Sequence, residues 1–422
     1  MAESDSHETV KSLNEMPLNF CALESHVFTT RSAITDEVES LLSLIRCKHW
    51  SPIVCHMKTS KSARSLAEML TDRIRTMPKE GKNGRKAIVL LFDRRLDPVT
   101  PLLSQWSYQA MIHEVFAIKN NVVDLSNWNV PKEFKKVLLS SQSDEFFKQH
   151  MYNNFGEIGE IIRKYVDEFQ GKKNSYKNIE NISDIKDFIS NYPEFKKMSG
   201  TVNKHVNLVE EVFKYVMAHD LMSVSAFEQN LCNDQLKSSS DDAELRNLLT
   251  SSKVRDLDKK KLLCLYFIQK GHNMSQMHFY IDLVARETKT DKMNLEKMLR
   301  NLSSYSQQRN SIKSLPTASA ANATKKFFKG LRGIENVYNQ HQPVVQDVLE
   351  DLLKKRTSPE IAYPEDFSFS SDIILYFCDG ITYEETKAIR DINLQFASNV
   401  LIGGPRVWRS EDFLSFVSSY NC

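Results

Sequence analysis

The sequence predicts an α/β protein with a large all-α insertion, its parallel sheet built from both ends of the chain. Three observations carry that expectation. Short, largely apolar runs at 53–57, 87–92, 373–377 and 400–402 lie near the two ends, and such runs read as strands buried on both faces. From about residue 105 to 365 the apolar positions recur at helical spacing instead. The chain is also 422 residues long, beyond the ~250–300 at which a single core stops growing.

The elements follow in order. Ile34, Val38, Leu41, Leu42 and Ile45 step along one helical face, and a strand over 53–57 comes next. Ser60 is placed to cap a second helix whose apolar face is Leu66, Met69, Leu70 and Ile74. Pro78, Gly81 and Gly84 end that helix before the strand at 87–92. Strand, helix and strand at this spacing imply a parallel pair with a right-handed crossover.

The helical stretch shows several one-sided stripes. One holds Phe155, Ile158, Ile162, Tyr165, Val166 and Phe169, and another holds Phe195, Met198, Val202, Val209, Phe213 and Val216. Residues 262–284 add more, and Phe327, Leu331, Ile334 and Tyr338 form a long face at i, i+4, i+7 and i+11. Strand signals return at 373–377. Thr382 and Glu385 then make a capping box opening a helix to about Phe396. A strand at 400–402 precedes Gly403 and Gly404, and Ser410 is placed to cap a last short helix. No repeat is visible, and the one small-residue tract is at 317–323.

Composition narrows the function. The chain is 41% hydrophobic, enough for real cores, and its 56 Lys and Arg against 54 Asp and Glu leave a net charge of +2. That balance fits neither a nucleic-acid binder nor a polybasic membrane anchor. Seven cysteines without pattern read as reduced thiols of a cytoplasmic protein. The first residues are acidic, and no apolar run nears the ~18 residues that span a bilayer. Membrane association is therefore expected only through partners.

Few arrangements suggest chemistry. Asp93 and Asp97 flank a turn after the strand at 87–92, where open α/β sheets collect ligands. A phosphatase or nucleotide-binding enzyme could use them, but an aspartyl-phosphate hydrolase wants two aspartates one residue apart. The expectation is a buried ion-pair node involving Asp93 and Arg94. Cys47, His49, Cys55 and His56 have the residue types zinc accepts. However, Cys55 and His56 are adjacent in a strand and point to opposite faces. No phosphate loop, nucleophile elbow or metalloprotease helix is present. Lys325, Lys326 and Lys329 surround Phe327 and Phe328, a pattern read as packed aromatics with solvated lysines or as a protein-binding helix. Neither an enzyme nor a cofactor is expected.

The segment from Ile88 to Glu114 closely resembles the signature of the SM (Sec-one/Munc-eighteen) family. Asp93, Arg94, Asp97, Pro101, Trp106, Gln109, His113 and Glu114 stand where that pattern has them. Further stretches at 151–159, 191–205, 329–343, 380–385 and 401–404 narrow the branch to one serving the endosomal and trans-Golgi route. Three departures stand out. Asp379 replaces a glycine, Pro405-Arg406-Val407-Trp408 replaces small hydroxyl residues, and the family's first α/β domain is expected to be represented only by its tail, residues 1–30, with a strand at 18–22.

The resemblance implies a clamp around SNARE helices. It divides the chain into residues 1–30 (remnant of the first domain), 31–104 and 366–422 (two parts of the middle α/β domain) and 105–365 (a mainly helical third domain). It also implies a hairpin near 311–355 that templates SNARE assembly, with Phe327, Leu331, Ile334 and Tyr338 as SNARE-facing candidates. The implied partners are a syntaxin-type SNARE, the assembling SNARE bundle and a vesicle-SNARE helix. A monomer recruited peripherally to Golgi and endosomal membranes is expected, a regulator of vesicle docking and fusion. A general helical scaffold without SNARE specificity is the alternative.

Overall fold

Strands buried on both faces need a layer on each side, and the fold supplies both. The structure, a computed structural model, describes residues 18–30, 34–76, 84–175, 182–232, 239–270, 274–306 and 341–420. It opens with β1 (Cys21–Glu24), β2 (Val27–Thr29), α1 (Ile34–Lys48), β3 (Trp50–Met57), α2 (Lys61–Arg75) and β4 (Arg85–Phe92). Helix α3 (Tyr108–Phe116) precedes three short strands, β5 (Ile118–Lys119), β6 (Val122–Asp124) and β7 (Lys136–Leu138). Helices α4 (Glu145–His150), α5 (Phe155–Ser175), α6 (Ile182–Ala218), α7 (Leu221–Cys232) and α8 (Ser239–Thr250) come next. They are followed by α9 (Asp256–Lys270), α10 (Met274–Glu287) and α11 (Lys292–Ser306). The chain closes with α12 (Val344–Leu353), β8 (Ile361–Ala362), β9 (Asp372–Phe377), α13 (Tyr383–Phe396), β10 (Asn399–Gly404) and α14 (Ser410–Ser419).

The large sheet has the order β1-β2-β10-β9-β4-β3-β8. Its five inner strands are parallel, while β1 and β8 pair antiparallel at the two edges. Alternation within each strand sorts side chains between two cores. Val89, Leu91, Ile374, Tyr376 and Leu401 meet α1 and α2. Ile88, Leu90, Ile373, Leu375, Val400 and Ile402 meet the other face, covered by α12 and α13. Two further cores lie in the helical part. One joins α7–α11 with α14, and the second joins α3–α6 with β5, β6 and β7.

Several expectations meet a different arrangement. The strand expected at 18–22 is instead Cys21–Glu24, and Leu18 is exposed. The buried apolar residues of this segment are Leu23, Val27 and Phe28, and Phe20 packs partly buried against the same sheet. Residues 27–29, expected within a separate first domain, pair with β10 inside the large sheet. The antiparallel strands β5–β7 interrupt the helical stretch. Ser410 does not cap α14 but is its first residue, and Arg409 occupies the cap. Gly403 and Gly404 cradle no phosphate: a Cβ on Gly403 would fall 2.4 Å from the Phe28 ring, and one on Gly404 would fall 2.8 Å from the Phe377 carbonyl.

Candidate functional site

The signature begins where β4 leaves the sheet. Asp93 caps a short turn by accepting from the Arg95 amide at 2.9 Å. Its carboxylate also accepts from the Arg95 Nε at 3.0 Å and from the Ser60 hydroxyl, the group that caps α2 through the Ala63 amide. Burial opposes ionisation of Asp93, yet the hydrogen bonds and charge of Arg95, with Ser60, hold it below the usual carboxylate range. The sequence pattern puts Asp93 and Arg94 in one ion-pair node. The structure separates them: Asp93 pairs with Arg95, and Arg94 pairs with Glu385.

Arg94 is fully buried and binds Glu385 through two parallel bonds of 2.6 Å, the fork geometry that suits guanidinium and carboxylate. Its Nη2 also donates to the Gly380 carbonyl at 2.9 Å, and the guanidinium lies 4.3 Å from the centre of the Phe377 ring. Burial disfavours the charge on Arg94, and the Glu385 carboxylate overcomes this. Glu385 simultaneously accepts from the Thr382 amide at 2.8 Å, completing the capping box of α13. Residues 291 positions apart are thereby fixed to one another.

Asp97 is occupied as fully. It accepts from the Thr100 hydroxyl at 2.6 Å, the Thr100 amide at 3.0 Å and the Val344 amide at 3.2 Å. Pro101 and Leu102 sit buried in the following turn, and Leu102 enters the α7–α11 core. The Ser104 amide donates to Glu228 at 2.8 Å, and Glu228 in turn meets the buried Lys261 at 3.2 Å. Trp106 Nε1 donates to the Ser225 hydroxyl at 2.6 Å.

The last signature residues lie on α3. His113 accepts from the Ile118 amide at 3.0 Å through Nδ1 and donates through Nε2 to the Val407 carbonyl at 3.3 Å. Burial lowers its pKa to about 4, so the ring is neutral. Glu114 accepts from the Ser410 amide at 3.0 Å and from its hydroxyl. The Gln109 amide donates to the Met151 carbonyl at 2.9 Å, and its side-chain oxygen is buried with no partner among the described residues. Signature side chains thus tie the large sheet to both helical cores. Asp93 and Asp97 spend their oxygens on internal donors and are not arranged as a nucleophile with its base.

Two other constellations have chemical residues without a reactive geometry. Tyr108 Oη, His205 and Asp144 form a chain with contacts of 2.7 and 2.9 Å, resembling a catalytic relay. All three are buried, and Asp144 also caps α4 through the Phe147 amide at 3.0 Å, so the chain locks α3, α4 and α6 together. In the cysteine–histidine group, Cys55 is buried and its thiol is pushed up to about 12 by burial, while Cys47 is half-exposed. Among the described residues no group of three or more His, Cys, Asp or Glu is placed to hold a metal.

Phe327, Leu331, Ile334 and Tyr338 lie outside the described residues, as do Lys325, Lys326, Phe328 and Lys329. Of the hairpin expected at 311–355, the described part includes α12, whose Val345, Val348, Leu349 and Leu352 lie in the sheet core. That helix is not a free arm. The longest described helix is α6, 37 residues, joined to the 21-residue α5 by residues 176–181. Ile158 on α5 and Leu208, Val212 and Val216 on α6 share one core, so the two helices pair as a hairpin. The outward side of α6 carries Phe213 and Met217, each 57% exposed and one turn apart, and Met222 at the start of α7 is 42% exposed. Helical spacing alone places Phe213 in an inward stripe, and the structure turns it outward. Apolar residues occupy two overlapping helical faces here, 208-212-216 and 209-213, and periodicity cannot tell which of them faces the core.

The profile described as the Sec1 family matches residues 1–416. Vacuolar protein sorting-associated protein 45 of Homo sapiens is 33% identical over 445 residues, spanning 99% of this chain and 77% of the relative. The Arabidopsis thaliana homolog of that protein is 32% identical, spanning 98% of this chain and 78% of its own length. Among solved structures, "SM Protein Vps45 in Complex with Qa SNARE Tlg2 (1-310)" is similar at a TM-score of 0.84 and 32% identity, covering 99% of this chain and 78% of that one.

Proposed function

The chain belongs to the Sec1 family, and from that premise we propose that it is a non-enzymatic regulator that binds a Qa-type SNARE and promotes SNARE assembly in vesicle docking and fusion. The route is that between the Golgi and endosomes, with recruitment to those membranes by SNARE partners. Its relatives carry the name of a vacuolar sorting protein, and one similar SM protein was solved with a Qa SNARE bound. No helix among the described residues is long and apolar enough to cross a membrane.

The observation that carries this reading is the outward face of α6. Phe213 and Met217 leave an apolar stripe uncovered on a long paired helix, with Met222 exposed at the start of α7 beyond its end, and such a stripe suits the apolar face of another amphipathic helix. In this reading the SNARE-facing surface includes α6, and the segment with Phe327, Leu331, Ile334 and Tyr338 adds to it. The signature has a supporting role, holding that helix pair rigid against the sheet. Calorimetric titration with the isolated membrane-proximal helix of a Qa SNARE tests the proposal. Saturable binding is expected, and heats no larger than those of a scrambled helix would reject it.

A further inference from the structure

A second site lies far along the chain from α6, where β1 forms the edge of the large sheet. A cavity of about 490 Å³ opens between β1, the end of α1 and the loop after β7. This falls within the ~300–1,000 Å³ typical of binding pockets. Its walls are mainly apolar, with Phe20, Phe28 and Leu44 among them. Two polar residues in the lining stand apart. Glu24 is only 7% exposed, and its Oε1 is buried with no hydrogen-bond partner among the described residues. Asn121 donates to the Leu23 carbonyl at 2.8 Å through its amide, which leaves its buried Oδ1 likewise unpartnered.

Two unpaired acceptors in one apolar pocket are costly unless a donor arrives, because each keeps its desolvation penalty. The Ser141 hydroxyl donates to the other oxygen of Glu24 and its backbone amide also faces the carboxylate, yet no hydrogen bond reaches Oε1 among the described residues. The lining carries one other formal charge resolved as such, Lys48. It is exposed and lies 5.9 Å from the centre of the Trp50 ring. His26, also in the lining, is partly buried and kept neutral by that burial.

We propose that this cavity is a binding site for a lysine or arginine side chain presented by a partner peptide between apolar residues. The cation would pair with Glu24 and donate to Asn121, while the flanking apolar groups lie against Phe20, Phe28 and Leu44. Burial raises the pKa of Glu24 in the free protein. Cation binding favours the ionised carboxylate, so affinity rises as the pH climbs through that raised value.

The test uses the full chain and two probe peptides, acetyl-Leu-Lys-Leu-amide and its norleucine counterpart, with affinities from ligand-detected NMR. The lysine peptide is expected to bind at least tenfold more tightly, and Glu24→Gln is expected to abolish the difference. Lys48→Glu, at an exposed position that leaves the fold intact, is expected to widen it. Equal binding of the two peptides, binding of neither, or a lysine preference that survives in folded Glu24→Gln would overturn the proposal. Should Glu24→Gln fail to fold, an unchanged preference in Lys48→Glu would overturn it as well. None of these results depends on whether the chain binds SNAREs.

Discussion

Replacing Glu385 with Gln removes one charge from the most buried ion pair among the described residues and changes almost nothing else in volume. Both partners have side chains at 0% exposure, so water cannot reach the guanidinium left behind. The Gly380 carbonyl and the Phe377 ring remain as partial compensation, and the new amide still accepts one bond. Breaking a buried pair by removing one partner costs ~3–5 kcal/mol. The residual acceptors put Glu385→Gln near the lower end, ~3 kcal/mol, a shift of about two decades in the folded-to-unfolded ratio. The apolar pair Arg94→Met with Glu385→Leu should lose less, ~1–2 kcal/mol, because neither partner is left as an unpaired buried charge; what goes is the capping box of α13, the donor to the Gly380 carbonyl and the Arg94 charge near buried Asp97. Urea denaturation followed by tryptophan fluorescence reads both, with hydrogen exchange at the start of α13 locating the loss. A change below ~1 kcal/mol in Glu385→Gln, or a double variant as unstable as the summed single ones, would refute the assignment of this pair as the staple between sheet and helix.

Four smaller tests follow from the same structure. Asp93→Asn with Asp97→Asn should impair folding and remove no reaction, and a magnesium-dependent turnover lost from a still-folded double variant would contradict that. His113 is held near pKa 4 in the fold against 6.5 when free. Its contribution is therefore complete above pH ~6.5 and is lost as the pH falls toward 4, by up to ~3 kcal/mol, and His113→Gln should flatten that slope in thermal melts. Glu37 acts in the opposite sense. Burial raises it to about 7 from 4.5, so stability falls as the pH rises through that window, and Glu37→Gln should raise Tm at pH 8 and not at pH 4. Gly403→Ala drives a methyl into the Phe28 ring and should cost ~1–3 kcal/mol, with partial rescue by Phe28→Leu in the same melts.

Much of the sheet was legible because its strands are read by composition alone. Residues 87–92 and 373–377 are apolar throughout, and a strand buried on both faces needs no longer pattern than that. The capping box at Thr382 and Glu385 was legible because its two bonds are local, three residues apart. The partner of Arg94 was not, because nothing local marks a carboxylate that serves a cap and a distant guanidinium at once. Strands β5–β7 escaped because two or three residues carry no period. The signature residues were found by resemblance, and only the structure shows that they act as ties between cores. The exposed side of α6 was hidden for the reason already given at Phe213, where both candidate faces are apolar. Asp379, noted as a departure from the family pattern, accepts from the Tyr305 hydroxyl at 3.0 Å and so ties α11 to the loop after β9.

The most direct test of the account compares Phe213→Asp with Met217→Asp as a double variant, the wild-type chain, and Leu394→Asp as a control at a residue 71% exposed on α13. Each is titrated with the Qa-SNARE helix, with circular dichroism confirming the fold. Both targets lie on an outward helix face, so folding should survive. At least tenfold weaker binding is expected for the double variant, with unchanged binding for Leu394→Asp. Wild-type affinity in a folded double variant would contradict it, and the SNARE-facing surface would then have to be sought away from α6.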